Sequence, residues 1–117
     1  MKQTKRSTFN LLFYIKRNQP KKNGKVSIRA RITIDGKARA FGTKLEINPK
    51  KWDLKYSRVT GKSAKALSIN QKLDSIRSRI NSIYNDILKE EGYATAQKVK
   101  LSFFRGQHSG RNLMQSG

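Results

Sequence analysis

The strongest constraint on what this chain can fold into is a period of two. From Lys25 to Ile34 the apolar residues Val26, Ile28, Ala30, Ile32 and Ile34 alternate with Ser27, Arg29, Arg31 and Thr33. Side chains on a strand point to opposite faces in turn, so this segment has one face for a core and one for water. Asp35-Gly36 follows at once, and glycine's tolerance of positive φ makes the pair a hairpin signal. Residues 37–45 then return as another strand. With a two-residue turn, Ile34 pairs with Lys37, Ala30 faces Phe41 and Val26 faces Leu45. A three-residue loop would slip the register and put Phe41 and Leu45 among the arginines, so the tight turn is the reading adopted. It sets Ala38, Ala40, Gly42 and Lys44 beside Arg29 and Arg31 on a flat, basic face.

Upstream, residues 9–17 are aromatic and β-branched and read as a first strand. Phe9, Leu11, Phe13 and Ile15 share one face; Asn10, Leu12, Tyr14 and Lys16 share the other. Residues 18–24, with Pro20 and Gly24, form a loop. Residues 1–8 read as a flexible basic arm.

A three-stranded sheet with an apolar face needs a cover. Residues 64–91 supply one, with Ile69, Leu73, Ile76, Ile80, Ile83 and Ile87 at helical spacing. Ser63, or Ser68 with Gln71 three residues on, caps the start, and Gly92 stops the helix. The same spacing suits a coiled-coil seam. Most of the stripe is assigned to the sheet, because Phe9, Phe13, Ile15, Ile28 and Ile32 have no other partner. At 1.5 Å per residue the helix is about 42 Å long, so its last turns are expected to overhang the strands.

Residues 46–62 read as an irregular loop, with a turn at Asn48-Pro49 and Trp52 plugging the edge of the core. A short helix capped by Thr95 is expected from Ala96 to about Phe104, and the Gly/Ser/Gln-rich residues 106–117 as a disordered tail. The fold class is therefore α+β: a three-stranded antiparallel β-meander packed on one long C-terminal α-helix, plus a short extra helix. The expected divisions are 1–8, 9–92 and 93–117.

Charge bears on function. The 117 residues hold 27 Lys+Arg against 7 Asp+Glu, a formal net charge of +20. Residues 1–62 carry 18 of the basic and 3 of the acidic side chains. Such self-repulsion points to a polyanionic partner, nucleic acid first and an anionic membrane surface second. There is no cysteine, and the only histidine, His108, lies in the polar tail, so no metal site can be assembled. No run is apolar enough for a membrane span or a signal sequence. The seven carboxylates are scattered, with no acid–base pair, no triad and no phosphate-cradling glycine loop. The expectation is a cytoplasmic, nucleoid-associated protein, not an enzyme, with no cofactor and no small-molecule substrate.

The candidate interface is the polar sheet face. Asn10, Tyr14 and Lys16 come from the first strand, Ser27, Arg29, Arg31 and Thr33 from the second, and Lys44 from the third. Arg can donate twice to a guanine edge and Asn can pair with adenine. Lys21, Lys22 and Lys25 in the loop, with Lys50 and Lys51 beside the turn, are placed to meet phosphates.

Residues Phe9 to about Gly106 resemble the N-terminal arm-type DNA-binding region of tyrosine recombinases, the phage integrase family of bacterial mobile elements. The likeness rests on the opening strand, strand 25–34 with Asp35-Gly36, Phe41-Gly42-Thr43 and Arg58-Val59-Thr60-Gly61. It continues in Asn70-Gln71-Lys72-Leu73-Asp74-Ser75-Ile76 and Thr95-Ala96-Gln97-Lys98-Val99-Lys100. Its most specific element is Pro49-Lys50-Lys51-Trp52-Asp53. Lys44 departs from the pattern, standing where the family often has Gly, and Gln107–Gly117 matches no part of it. The resemblance implies a sheet face inserted in the major groove of duplex arm sites, in integration and excision. The family's catalytic Arg, His-x-x-Arg and Tyr belong to a later domain not found in this sequence. The chain would then be a fragment, a truncated product or an expressed domain, with the downstream recombinase domains as partners. Two further readings stay open: an RNA-binding αβ module, and a dimerisation module built on the helix stripe.

Overall fold

The computed structural model describes residues 8–116, with side chains as far as Gly106. Residues 1–7 of the expected arm, and the side chains of the expected tail, lie outside the described residues. Three strands form one antiparallel sheet in the order β1 (Phe9–Ile15), β2 (Val26–Ile34), β3 (Lys37–Ile47). The expected turn is present: Asp35 and Gly36 have φ of 52° and 82°, the double positive-φ signature of a tight hairpin. Thr8 clasps the same turn from the neighbouring strand. Its amide donates to the Asp35 carboxylate at 2.9 Å, and the Asp35 amide donates to the Thr8 carbonyl at 3.1 Å.

The register is as expected for Ile34↔Lys37 and Ala30↔Phe41, and then changes. Arg29 pairs with Gly42 but Ile28 pairs with Leu45, so Thr43 and Lys44 are extra residues in β3. Val26 consequently faces Ile47 and not Leu45. The bulge has its own chemistry. Lys44 takes a left-handed φ of 69°, which turns the strand. The Thr43 hydroxyl donates to the Ile28 carbonyl at 2.7 Å and accepts from the Leu45 amide at 3.2 Å, bridging the break. β1 stops at Ile15, so Lys16 lies just past the strand.

The segment 46–62 is more ordered than its composition suggests. Asn48 accepts from the Lys50 amide at 2.9 Å and opens a short 3-10 turn, Pro49–Lys51, with proline at its first position. A small hairpin follows, β4 (Trp52–Asp53) and β5 (Arg58–Val59). Asp53 accepts from the Lys55 and Tyr56 amides, holding its tip. Trp52 and Val59 are both buried, so the expected core-edge role of Trp52 is observed.

Helix α1 spans Ala64–Glu91, with Ser63 as the cap (it accepts from the Ala66 amide at 3.1 Å) and Gly92 at the left-handed stop. Its buried face includes Ile69, Leu73, Ile80 and Ile87, while Ile76 and Ile83 pack at the margin. Tyr84 stacks on Phe9 with centroids 4.3 Å apart. Most of the stripe is therefore packed inside the chain. Asn70 is the one buried polar side chain of α1, and sequence reasoning passed over it. Its amide accepts from the Val59 N–H at 2.9 Å and donates to the Val59 carbonyl at 3.0 Å, acting as a strand edge for β5.

The cover of the sheet is shared. Helix α2 runs Ala96–Ser116, well past the expected end near Phe104 and through the segment expected to be a disordered tail. Interior glycine costs a helix about 1 kcal/mol, which Gly106 and Gly110 do not raise to the level of a break. Val99 and Phe103 are buried, and Phe103 and Phe104 both close on Phe41 at centroid distances of 5.4 and 5.3 Å. Arg77 donates to the Leu11 carbonyl at 3.4 Å, occupying one edge group of β1.

Candidate nucleic-acid interface

Because Val26, Ile28, Ala30, Ile32 and Ile34 all point to the helices, their polar neighbours point away. Across the outer face the rows are Asn10–Thr33–Ala38, Leu12–Arg31–Ala40 and Tyr14–Arg29–Gly42. Each of these rows ends on a small residue of β3, so nothing directly opposite the arginines rises beside them; beyond the bulge the next row pairs Ser27 with Glu46. Arg31 is exposed, with its guanidinium 5.6 Å from the centre of the Tyr14 ring. Arg29 is half-buried and lies back over Gly42, where a side chain would meet its Nη1 at 3.7 Å. The Arg29 Nε is buried and has no hydrogen-bond partner among the described residues. Leaving such a donor unpaired carries a free-energy cost.

The expected site residues do not all stand together. Asn10, Tyr14, Ser27, Arg29, Arg31 and Thr33 form the face. Lys16 and Lys22 are exposed in the loop at its end. Lys21 is also there but is held by Glu46, and this ammonium keeps the Glu46 carboxyl below its ordinary range. Lys44, expected on the outer face, is carried off it by the bulge. It lines a depression on the helix side together with Lys25, Lys65 and Lys72. Sequence reasoning missed Lys65 and Lys72; with Ser68, their spacing of three and four places them on one side of α1, which was the available signal. It also gave no role to Arg39. That residue pairs with Ile32 on the helix side and donates from Nε to Gln97 of α2 at 2.9 Å.

The described residues include no group of His, Asp or Glu that could hold a metal ion. No described helix is long and apolar enough to cross a membrane. Comparison with protein-family models matches residues 13–100 to the arm DNA-binding domain. The match spans most of the chain and contains the outer face from Tyr14 onward, the bulge, the 3-10 turn and α1. This chain belongs to the arm DNA-binding domain family. Comparisons with curated proteins and with solved structures returned no match. Domains of this family are typical of the N-terminal arm-binding region of phage integrases, so the arm domain described here is a DNA-binding one. The family match accounts for residues 13–100 by DNA binding.

Proposed function

We propose that this arm domain reads duplex DNA by laying its outer sheet face in the major groove, as the recognition module of a site-specific recombinase. The observation that carries this reading is the pair Arg29 and Arg31, side by side on a face where β3 sets only Ala38, Ala40 and Gly42 against them and Thr33, with Glu46 following beyond the bulge opposite Ser27. A B-form major groove is about 12 Å wide and admits a two-stranded ribbon or sheet if no bulky side chain blocks it. Arg31, propped by Tyr14, presents its fork to a guanine edge. Arg29 swings up from Gly42 to do the same, which also frees its unpaired Nε–H. Asn10, Ser27 and Thr33 supply the neighbouring polar contacts. Lys16 and Lys22 meet phosphates and set the register; Lys21 contributes less while Glu46 holds it. The recombination partners would be the catalytic domains of the integrase, and the setting the bacterial nucleoid. No specific observation favours RNA over DNA.

Selection from a random duplex pool, followed by binding of Arg31→Ala to the selected and to scrambled sites, tests the reading. Discrimination at one base position should fall by about 1–3 kcal/mol, with little change on the scrambled duplex. Equal losses on both duplexes would refute readout by the sheet.

A further inference from the structure

Outside the sheet face, positive charge also gathers between the edge strand β3 and the first turns of α1. Lys25 and Lys44 come from the sheet side, Lys65 and Lys72 from α1, around a depression of about 380 Å³ whose lining includes Ser68 and Ile69. Glu46 is the one carboxylate of that lining, and Lys21 already engages it. Lys25 and Lys65 line the same depression, and the neighbouring Lys25 cation lowers the Lys65 pKa. Lys44 reaches the rim only because its backbone is left-handed, a conformation that costs a non-glycine residue about 1–2 kcal/mol. A cluster of like charges held together by a strained backbone opposes folding unless an anion completes it.

We propose that this four-lysine groove is a second DNA contact, which takes backbone phosphates of the bound duplex on the helix side of the β3 edge. It rests on the arm-domain reading but is separate from the sheet face. Lysine suits the task, because a compact ammonium contacts phosphate oxygens as a point charge without reading sequence. The groove therefore adds affinity and salt dependence, and leaves base discrimination to Arg29 and Arg31.

The test is the double variant Lys65→Gln/Lys72→Gln in the full chain. Both residues are exposed on α1, so the fold should survive. For a short mixed-sequence duplex, the slope of log K against log salt should flatten by about 1.8 units, the release of two counterion contacts. The preference for a selected site over a scrambled one should not change. In the free protein the midpoint of thermal unfolding should rise, because repulsion is relieved. Pyrophosphate, the smallest probe of the same chemistry, should raise the wild-type midpoint and lose most of that effect on the variant. An unchanged salt slope, a lowered midpoint, or equal pyrophosphate shifts in both proteins would overturn the groove while leaving the sheet reading intact. Wild-type protein that binds no duplex at all would instead remove the arm-domain reading, and the groove with it.

Discussion

Asn70→Ala tests how the 3-10 turn and small hairpin are tied to the rest of the domain. The Asn70 side chain makes two hydrogen bonds to one residue, accepting from the Val59 N–H at 2.9 Å and donating to the Val59 carbonyl at 3.0 Å. Val59 is 4% exposed and Asn70 8%, so water does not replace either bond without opening the packing. Each buried backbone group stranded in this way costs about 1–3 kcal/mol. Alanine's better helix propensity returns roughly 0.5 kcal/mol. The net expectation is a loss of about 1.5–5.5 kcal/mol, a large share of the roughly 5–15 kcal/mol that holds a domain of this size together. Midpoints of thermal unfolding move about 4 °C per kcal/mol at this length, so a drop of about 6–22 °C is expected. Urea titration followed by fluorescence suits the question, because Trp52 is the sole tryptophan and pairs directly with Val59. Asn70→Asp is the sharper control. It keeps an acceptor for the Val59 N–H but sets a carboxylate oxygen against the Val59 carbonyl, and should cost at least as much as alanine. A loss below about 1 kcal/mol for either variant would mean that β5 is held by packing alone and that the paired bonds contribute little.

Other consequences are equally open to measurement. Lys44→Gly should relieve the left-handed strain at φ 69° and raise stability by up to about 1 kcal/mol, read as a shifted urea midpoint, while weakening duplex binding. Truncation after Gly92 removes Phe103 and Phe104 from Phe41 and the buried Val99 from the core, and should abolish cooperative unfolding by circular dichroism. Gly42→Ala, whose added carbon meets only the Arg29 guanidinium at 3.7 Å, should leave stability within about 0.5 kcal/mol but lower duplex affinity if the face approaches DNA closely. Lys65 is surrounded by Lys25 of the sheet, Lys51 of the 3-10 turn, Lys44 and Lys72, with Glu46 as the one opposing charge. Its pKa is depressed below 10.5, so between the folded value and 10.5 the unfolded chain binds more protons, and stability should rise with pH there. A urea midpoint that climbs as steeply in Lys65→Gln as in the wild type would refute this.

The fold was legible where a short-range pattern had one physical solution. Alternation in 26–34 and the Asp35-Gly36 pair determined the meander, the turn and the side on which Arg29 and Arg31 lie. The isoleucine spacing and Gly92 determined the run and the end of α1, while its start stayed open between Ser63 and Ser68 until the fold placed the cap at Ser63. The resemblance carried by Pro49–Asp53 and its neighbours pointed to the family that the comparison then matched.

Tertiary structure decided the rest. Two extra residues at Thr43 and Lys44 leave no mark on periodicity, because a bulge restores the alternation after it; only the pairing of Ile28 with Leu45 reveals it. That one slip moved Lys44 off the outer face and beside Lys65. Asn70 reads as an ordinary polar helix position until Val59, eleven residues away, is folded against it. α2 became part of the sheet's cover because Phe103 and Phe104 meet Phe41 from far along the chain. Local patterns specify which way a side chain points, since backbone geometry alone enforces that. They do not specify what it meets, which depends on chain brought in from a distance.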